Sequence, residues 1–559
     1  MGEKAIFSPD FGARASGRIS GRILGTEGME EWTGRSSHIR GTMRSMRKMR
    51  PEVRRTSSKH KDRGRLTRLH AVLLAAALAG CAVGPDFRRP TPPAVSSYTS
   101  EALPDTTAAS PVAGGAPQRF VFGEEIPSRW WSLFRSEALD RLIRQALSDS
   151  PTLAAAQATL RVAEENRRAQ FGALLPNVDG NATAGRQKIS GASFGLPENT
   201  SSSFTLYNAS VSVSYALDLF GGTRRELEAL GAEVDFQRFQ REGAWLTLTA
   251  NLVTTAVQEA ALRAQIRATR EIVEAEEQQL ALVERQFQLG GVSRPDVLAQ
   301  QAQLAQTRAT LPPLEKQLAQ IRHRLAVLAG RFPGDAGTLP EFDLDGMSLP
   351  QELPVSLPSS LARQRPDIRA AEELLHAASA RIGVATANLY PQVALTGSLG
   401  SEAARGKDLF GSGTSVWSLG GGMLQPVFRG GELTARRRAA VAAYDQAEAQ
   451  YRETVLLAFQ NVADALRALE MDAQALKAQA DAESAAKAAL DLARQAFRLG
   501  GASYLTLLNA ERQHQQARIG LVQAQAARFS DTAALFQALG GGWWNREPED
   551  GMSTTSRND

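Results

Sequence analysis

Few side chains in this 559-residue sequence stand at spacings that support chemistry. Gly191-Ala192-Ser193-Phe194-Gly195 matches the G-x-S-x-G pattern of a nucleophile elbow. An elbow serine needs a sharp turn from a strand into a helix. Here the motif runs into Pro197, Glu198, Asn199 and Thr200, between two alternating segments, so it predicts a mobile loop and no catalytic serine. His323, His376 and His514 lie singly on helical segments, without the spacing that sets two ligands on one metal. No enzyme, metal or cofactor is predicted. Cys81 differs. It is the only cysteine, which excludes internal disulfides, and it closes Leu78-Ala79-Gly80-Cys81. That ending has the pattern of a bacterial lipobox, in which the cysteine becomes the lipid-bearing first residue of the mature chain. A covalent lipid on Cys81 is the one modification expected, and Ala82 rather than Asp favours export to the outer membrane.

The residues before Cys81 agree. A basic stretch, Arg54 to Arg68, precedes a short apolar run, Leu69 to Gly80, as in a secretory signal. The run falls short of the roughly 20 residues a spanning helix needs. Residues before about Met43–Met49 fit no standard leader and suggest a misassigned start. The formal net charge of +5 belongs to this leader: residues 1–80 hold 17 Lys/Arg against 7 Asp/Glu, and the rest holds 47 against 52. Nucleic acid is thereby excluded as a partner. Arg436-Arg437-Arg438 reads as a solvated or channel-lining face.

Two long helices must carry everything else. Trp245, Leu252, Ile266, Val273, Leu280 and Phe287 share one seven-residue register, broken only by Glu259. Adding 210 gives Val455, Val462, Leu469, Leu476, Leu490 and Phe497, broken only by Glu483. A register repeated in phase marks an internal duplication, and a sustained heptad buries a narrow seam against other helices. Both copies end in Leu-Gly-Gly, at Gly290-Gly291 and Gly500-Gly501, where glycine supplies the left-handed helix stop. A helix of about 67 residues is roughly 100 Å long, which suits a protein that spans a distance.

Between the helical runs the period changes. Tyr207 to Leu217 alternates apolar with small or polar residues, and Pro176 to Ser190 does so more weakly. Pro391 to Gly400 and Val416 to Gln425 repeat the pattern in the second half. These are strands with one apolar and one wet face, of transmembrane β-strand length. Four strands cannot close a barrel and open edges are forbidden in lipid, so several copies would have to pool them; two give 8 and three give 12. The domain map predicted is a leader over 1–80, a lipid-anchored extended linker over 81–128 and a first repeat over 129–350. The first repeat has strands at about 176–190 and 205–217 and long helices at 223–289 and 293–330. The second repeat, 351–540, has strands at about 391–400 and 416–425 and long helices at 432–499 and 503–539. A disordered tail, 541–559, completes it.

The lipobox followed by Val83-Gly84-Pro85-Asp86-Phe87, the Trp130-Trp131 pair, the repeated Leu-Gly-Gly turns, Arg365-Pro366-Asp367-Ile368 with Glu372, and Ile382-Gly383-Val384-Ala385 leading to Leu389-Tyr390-Pro391 resemble the outer-membrane factors of tripartite efflux systems. The pattern is similar to the lipid-anchored NodT/OprM branch more than to unlipidated TolC. The resemblance implies a mainly α protomer with a β-barrel part, and a homotrimer with a 12-stranded outer-membrane barrel continuing into a periplasmic α-helical barrel. It implies a periplasmic adaptor, an inner-membrane RND-type pump and outer-membrane lipid as partners, and export of drugs or other toxic solutes. It also implies a periplasmic gate after the Gly-turns. By position, Asp296 matches an acidic tip residue, Leu505 an apolar constriction, and Asn509 stands where the family usually has Asp. Arg294 and Tyr504 belong to the same two turns. Ser293, Arg294 and Pro295 equally suit a helix start, where Asp296 would serve the helix dipole. An exit duct for type I protein secretion and a non-channel periplasmic coiled-coil protein are the alternatives.

Overall fold

The computed structural model describes residues 82–195, 197 and 201–546. Cys81, the leader, residues 547–559 and the side chain of Ser193 lie outside what is described. The elements run β1 (Arg119–Phe122), α1 (Glu137–Asp149), α2 (Pro151–Phe171), β2 (Asn177–Ser190), β3 (Ser201–Leu217), α3 (Gly222–Gln288) and α4 (Arg294–Leu328). The second half runs β4 (Glu352–Val355), α5 (Pro358–Gln364), α6 (Pro366–Ala387), β5 (Gln392–Ala403), β6 (Ser415–Leu424), α7 (Glu432–Arg498) and α8 (Tyr504–Ala538).

In the long helices the duplication is exact in length. α3 and α7 each have 67 residues, α4 and α8 each have 35, and the matching ends stand 210 apart. Heptad positions make the seam: Leu252, Val462, Leu469 and Leu476 are fully buried. The two register breaks carry polar pairs instead. Glu259 is fully buried between Arg263 (Nε, 2.9 Å) and Arg322 (Nη1, 2.7 Å), and Glu483 faces His514 at 3.3 Å. Arg322 also donates to the carbonyls of Ala336 and Leu339, so one ion pair ties α3, α4 and the following turn together. α3 packs on α2, α4, α6 and α8, while α7 packs on α6 and α8.

β2, β3, β5 and β6 form one antiparallel sheet in that order. Partners across the sheet share a face. Trp417 opposes Leu399, which opposes Val211; Met423 opposes Val393, which opposes Leu217. That face is apolar and exposed, with Leu399 63%, Trp417 75% and Leu419 82% accessible. The other face carries Ser418, Ser398 and Ser212 in line, then Asp179, with Ser398 and Ser418 hydroxyls 2.7 Å apart. β2 and β6 each have one unpaired edge. No described helix is long and apolar enough to cross a membrane.

Two segments differ from the domain map. The 81–128 segment, expected as an extended linker, includes β1, which pairs in parallel with β4 and joins it to the second half. Fully buried Arg528 holds it further, donating to the carbonyls of Gly114 and Ala116 and to Gln118 Oε1. Gly84 lies so close to α6 that a Cβ on it would come within 2.4 Å of Gly383 Cα. In the tail expected to be disordered, residues 541–546 pack against the rest of the chain. Trp543 Nε1 donates to Gln364 O at 2.7 Å, and Arg546 pairs with buried Glu242 and covers the Trp245 ring at 4.7 Å. Trp543 and Trp544 pack against the core although the residues around them are Gly-rich and polar. The largest core lies beneath, where Trp130 stacks on Phe536 at 5.4 Å and Trp131 meets Trp245 at 5.6 Å.

Candidate functional site at the paired helix turns

Both long hairpins turn by the same device. Gly290 (φ 75°) and Gly500 (φ 74°) adopt the left-handed conformation, and Gly291 N and Gly501 N donate to Gln286 O and Ala496 O, each at 2.8 Å. This six-residue closure satisfies carbonyls that the helix end leaves open. Each chain then re-enters a helix at a serine. Asp296 accepts from Ser293 N at 2.9 Å and Ser293 Oγ at 2.5 Å, so its carboxylate is occupied as a cap. Ser503 Oγ accepts from Thr506 N at 3.3 Å.

The two turns meet in a shared apolar cluster of Val283, Val297, Leu490, Phe497, Leu507 and Leu508. Tyr504 is 5% exposed, edge-on to Phe497 at 5.9 Å, and its hydroxyl donates to Gln300 Oε1 of the other hairpin. It is therefore a buried bridge between hairpins and does not face the protomer surface. Leu505 is 63% exposed and Asn509 is exposed one turn further along the same face of α8. Arg294 is exposed, its guanidinium 6.0 Å from the Phe287 ring centre.

Above this cluster the interface turns polar, which composition alone does not reveal. Buried Glu276 of α3 accepts from Gln303 Nε2 at 3.2 Å and Thr307 Oγ1 at 3.0 Å. Arg512 Nε reaches Gln303 Oε1 at 2.7 Å across the hairpins. Burial pushes the Glu276 carboxyl up, against its hydrogen bonds and Arg512. Burial also pushes Glu511 up to about 7, with Arg494 opposing and Glu276 adding to the rise. In the sequence this layer shows as acids on core-facing positions, three residues past Val273 and four past Leu507. Gly191–Phe194 is a short 3-10 turn between β2 and β3, with no helix after it. His323, His376 and His514 remain apart; among the described residues no His/Cys/Asp/Glu group could hold a metal.

At the opposite end of α3, the chain just after Cys81 is seated. Val83 N donates to Phe220 O at 3.0 Å, and Arg225 Nη2 pairs with Asp86 at 2.7 Å. Phe87 stacks on His376 at 4.4 Å, and His376 lies between Glu373 (3.3 Å) and Glu228 (3.1 Å). The Glu373 hydrogen bond, then Glu228, raise the imidazole above its usual value against partial burial.

These features recur in known proteins. The family model for outer membrane efflux proteins matches residues 142–331 and 357–541. The pyoverdine export outer membrane protein OpmQ of Pseudomonas aeruginosa is 32% identical over 419 residues, covering 74% of this chain and 87% of that one. The toluene efflux pump outer membrane protein TtgC of Pseudomonas putida is 29% identical over 482 residues, 86% of this chain and 96% of that one. The solved outer-membrane channel OprN superposes with a TM-score of 0.74 at 32% identity, covering 83% of this chain and all of OprN. With both repeats inside the match, the chain belongs to the outer membrane efflux protein family and is an outer-membrane channel of an efflux pump.

Proposed function

We propose that three copies join their sheets edge to edge, β6 of one against β2 of the next, to close a 12-stranded barrel in the outer membrane. One observation carries this reading: a four-stranded sheet with one exposed apolar face and two unpaired edges. Unpaired strand edges are not tolerated in hydrocarbon, and three such sheets make a permitted even count. The apolar face meets lipid and the Ser-lined face meets water. Below the membrane, the long helices line a periplasmic duct that ends at the Gly-turns, where Leu505 and Asn509 lie on one exposed helix face. Three Leu505 side chains around an axis form an apolar constriction that blocks ions by dewetting. Cys81 carries a diacylglyceryl lipid, a reading supported by its place at the end of Leu78-Ala79-Gly80-Cys81 and by the docking of the following residues, Val83 N donating to Phe220 O.

The duct does no chemistry. A periplasmic adaptor and an inner-membrane RND-type pump supply the energy, and the cargo is small toxic solutes. OpmQ and TtgC are named for pyoverdine and toluene, two unlike solutes, as befits a water-filled passage without a specific binding pocket. The test is the mass of the purified protein in detergent, with its strand content by circular dichroism and its conductance in planar bilayers. A stable trimer that conducts is expected. A monomer that retains its full strand content sinks the barrel reading.

A further inference from the structure

Just above the turns, two carboxyl groups from different hairpins face one cavity. Glu276 of α3 and Glu511 of α8 line a space of about 170 Å³ with Leu490, Arg494 and His514. They are 3% and 7% exposed. Among the described residues, Glu276 Oε2 and both oxygens of Glu511 accept no hydrogen bond. Arg494 Nη2 stands 3.6 Å from Glu511 Oε1, an ion-pair distance without hydrogen-bond contact. The other charges are committed elsewhere. Arg512 donates to Gln303, Arg518 pairs with Glu271, and His514 faces Glu483 of α7. α4 contributes neutral Gln300, Gln303 and Thr307 at this level, with Asp296 nearer the turn. Ionised Glu511 would have no hydrogen bond to offset its burial, and Glu276, held through Oε1 alone, would add a second charge beside it.

We propose that Glu276 and Glu511 are a proton-operated latch, holding the two hairpins of one protomer together while protonated and releasing them on ionisation. The inference rests on the reading of the chain as a gated duct, and names what sets its gate. When the hairpins part, water reaches the carboxyls. Each neutral carboxyl then gives its proton to water, leaving a carboxylate and a hydronium ion. The sign follows from the raised values. Docking is favoured fully below about pH 4.5, the ordinary glutamate value, and is weakened as pH rises to about 7, the value of docked Glu511. Above that, Glu511 alone shifts the docked-to-parted ratio by roughly 300-fold, from the linkage of its two values. Acid closes the tip and alkali loosens it.

The experiment uses the full-length protein with spin labels at Leu298→Cys and Asn509→Cys, diluted with unlabelled chains so that one protomer carries the pair. The label distance should lengthen between pH 5 and pH 8 in the parent. It should stay short at both pH values in Glu511→Gln, a neutral isostere of the protonated acid. Infrared difference spectra over the same range should show a protonated-carboxyl signal that fades in the parent and loses the Glu511 component in Glu511→Gln, while the contribution of Glu276 remains. In Glu276→Gln, where no second carboxylate can form beside Glu511, the remaining Glu511 component should fade at a lower pH. A distance independent of pH, or a band unaffected by Glu511→Gln, overturns the latch. Lengthening distances with unchanged bilayer conductance support the latch and count instead against the duct.

Discussion

Asp296 illustrates how one side chain can be asked for two jobs. Its carboxylate is engaged by Ser293 N and Oγ, which is work a helix N-terminus needs whether or not a pore exists. Asp296→Ala should lower stability by about 1 kcal/mol, measured by thermal unfolding. Bilayer selectivity separates the roles, and an unchanged cation preference in this variant assigns Asp296 to capping alone. Leu505 has no such second employment, being 63% exposed. Leu505→Ser should raise single-channel conductance, and Asn509→Asp should increase cation selectivity, more so at low salt where screening is weak. His376 sets a different pH dependence at the far end of α3. Its raised value means that the imidazolium between Glu373 and Glu228 holds the segment behind Cys81 most firmly below about pH 6.5. The hold fades as pH rises through the raised value. The parent should therefore exceed His376→Gln in melting temperature at pH 5.5, and the gap should narrow by pH 8.5.

At the scale of elements, the long helices keep register because their breaks are neutralised. Glu259 occupies a seam position, fully buried, with two arginines. Removing one partner of a buried pair leaves charge without compensation, at about 3–5 kcal/mol. Arg322→Leu should approach that cost, because the two carbonyls that Arg322 bridges also lose a donor. Glu259→Leu paired with Arg322→Leu should recover much of it, since an apolar replacement of the whole pair is frequently neutral. Chemical denaturation of the four proteins in the cycle gives the answer. The Gly-turns are stiffer constraints still. Gly290 and Gly500 sit at φ near +75°, where an L side chain costs about 1–2 kcal/mol.

For the whole molecule, assembly and anchoring are separable. On the proposed reading Cys81→Ser would remove the lipid, while twelve strands in a trimer would keep their own hold on the bilayer. The expected result is a trimer of unchanged mass in detergent and no acyl mass on the N-terminal peptide. An unmodified thiol at Cys81 in the parent ends the lipoprotein reading. The docked segment from Val83 to Arg89, with Arg89 Nε 3.0 Å from Glu372, would hold its place in either form.

The sequence by itself determined the repeat and its elements, because the heptad, the two-residue alternation and the Gly-Gly stops are local, periodic consequences of backbone geometry. α3, α7 and the four sheet strands could thus be read one segment at a time. The resemblance to the family rests on scattered motifs such as Arg365-Pro366-Asp367. Arg365 turns out to pair with Asp367 at 2.6 Å and to donate to Ala538 O at 2.7 Å, far along the chain. Tertiary structure alone decided which residues at equivalent positions are buried. Tyr504 and Leu505 are neighbours in sequence, yet one is enclosed between hairpins and the other exposed. It also decided the β1–β4 pairing, the docking of Trp543 and the meeting of Glu276 with Glu511. Each joins segments more than 150 residues apart. No local pattern encodes such contacts, because burial and its effect on a carboxyl's charge belong to the packed neighbourhood.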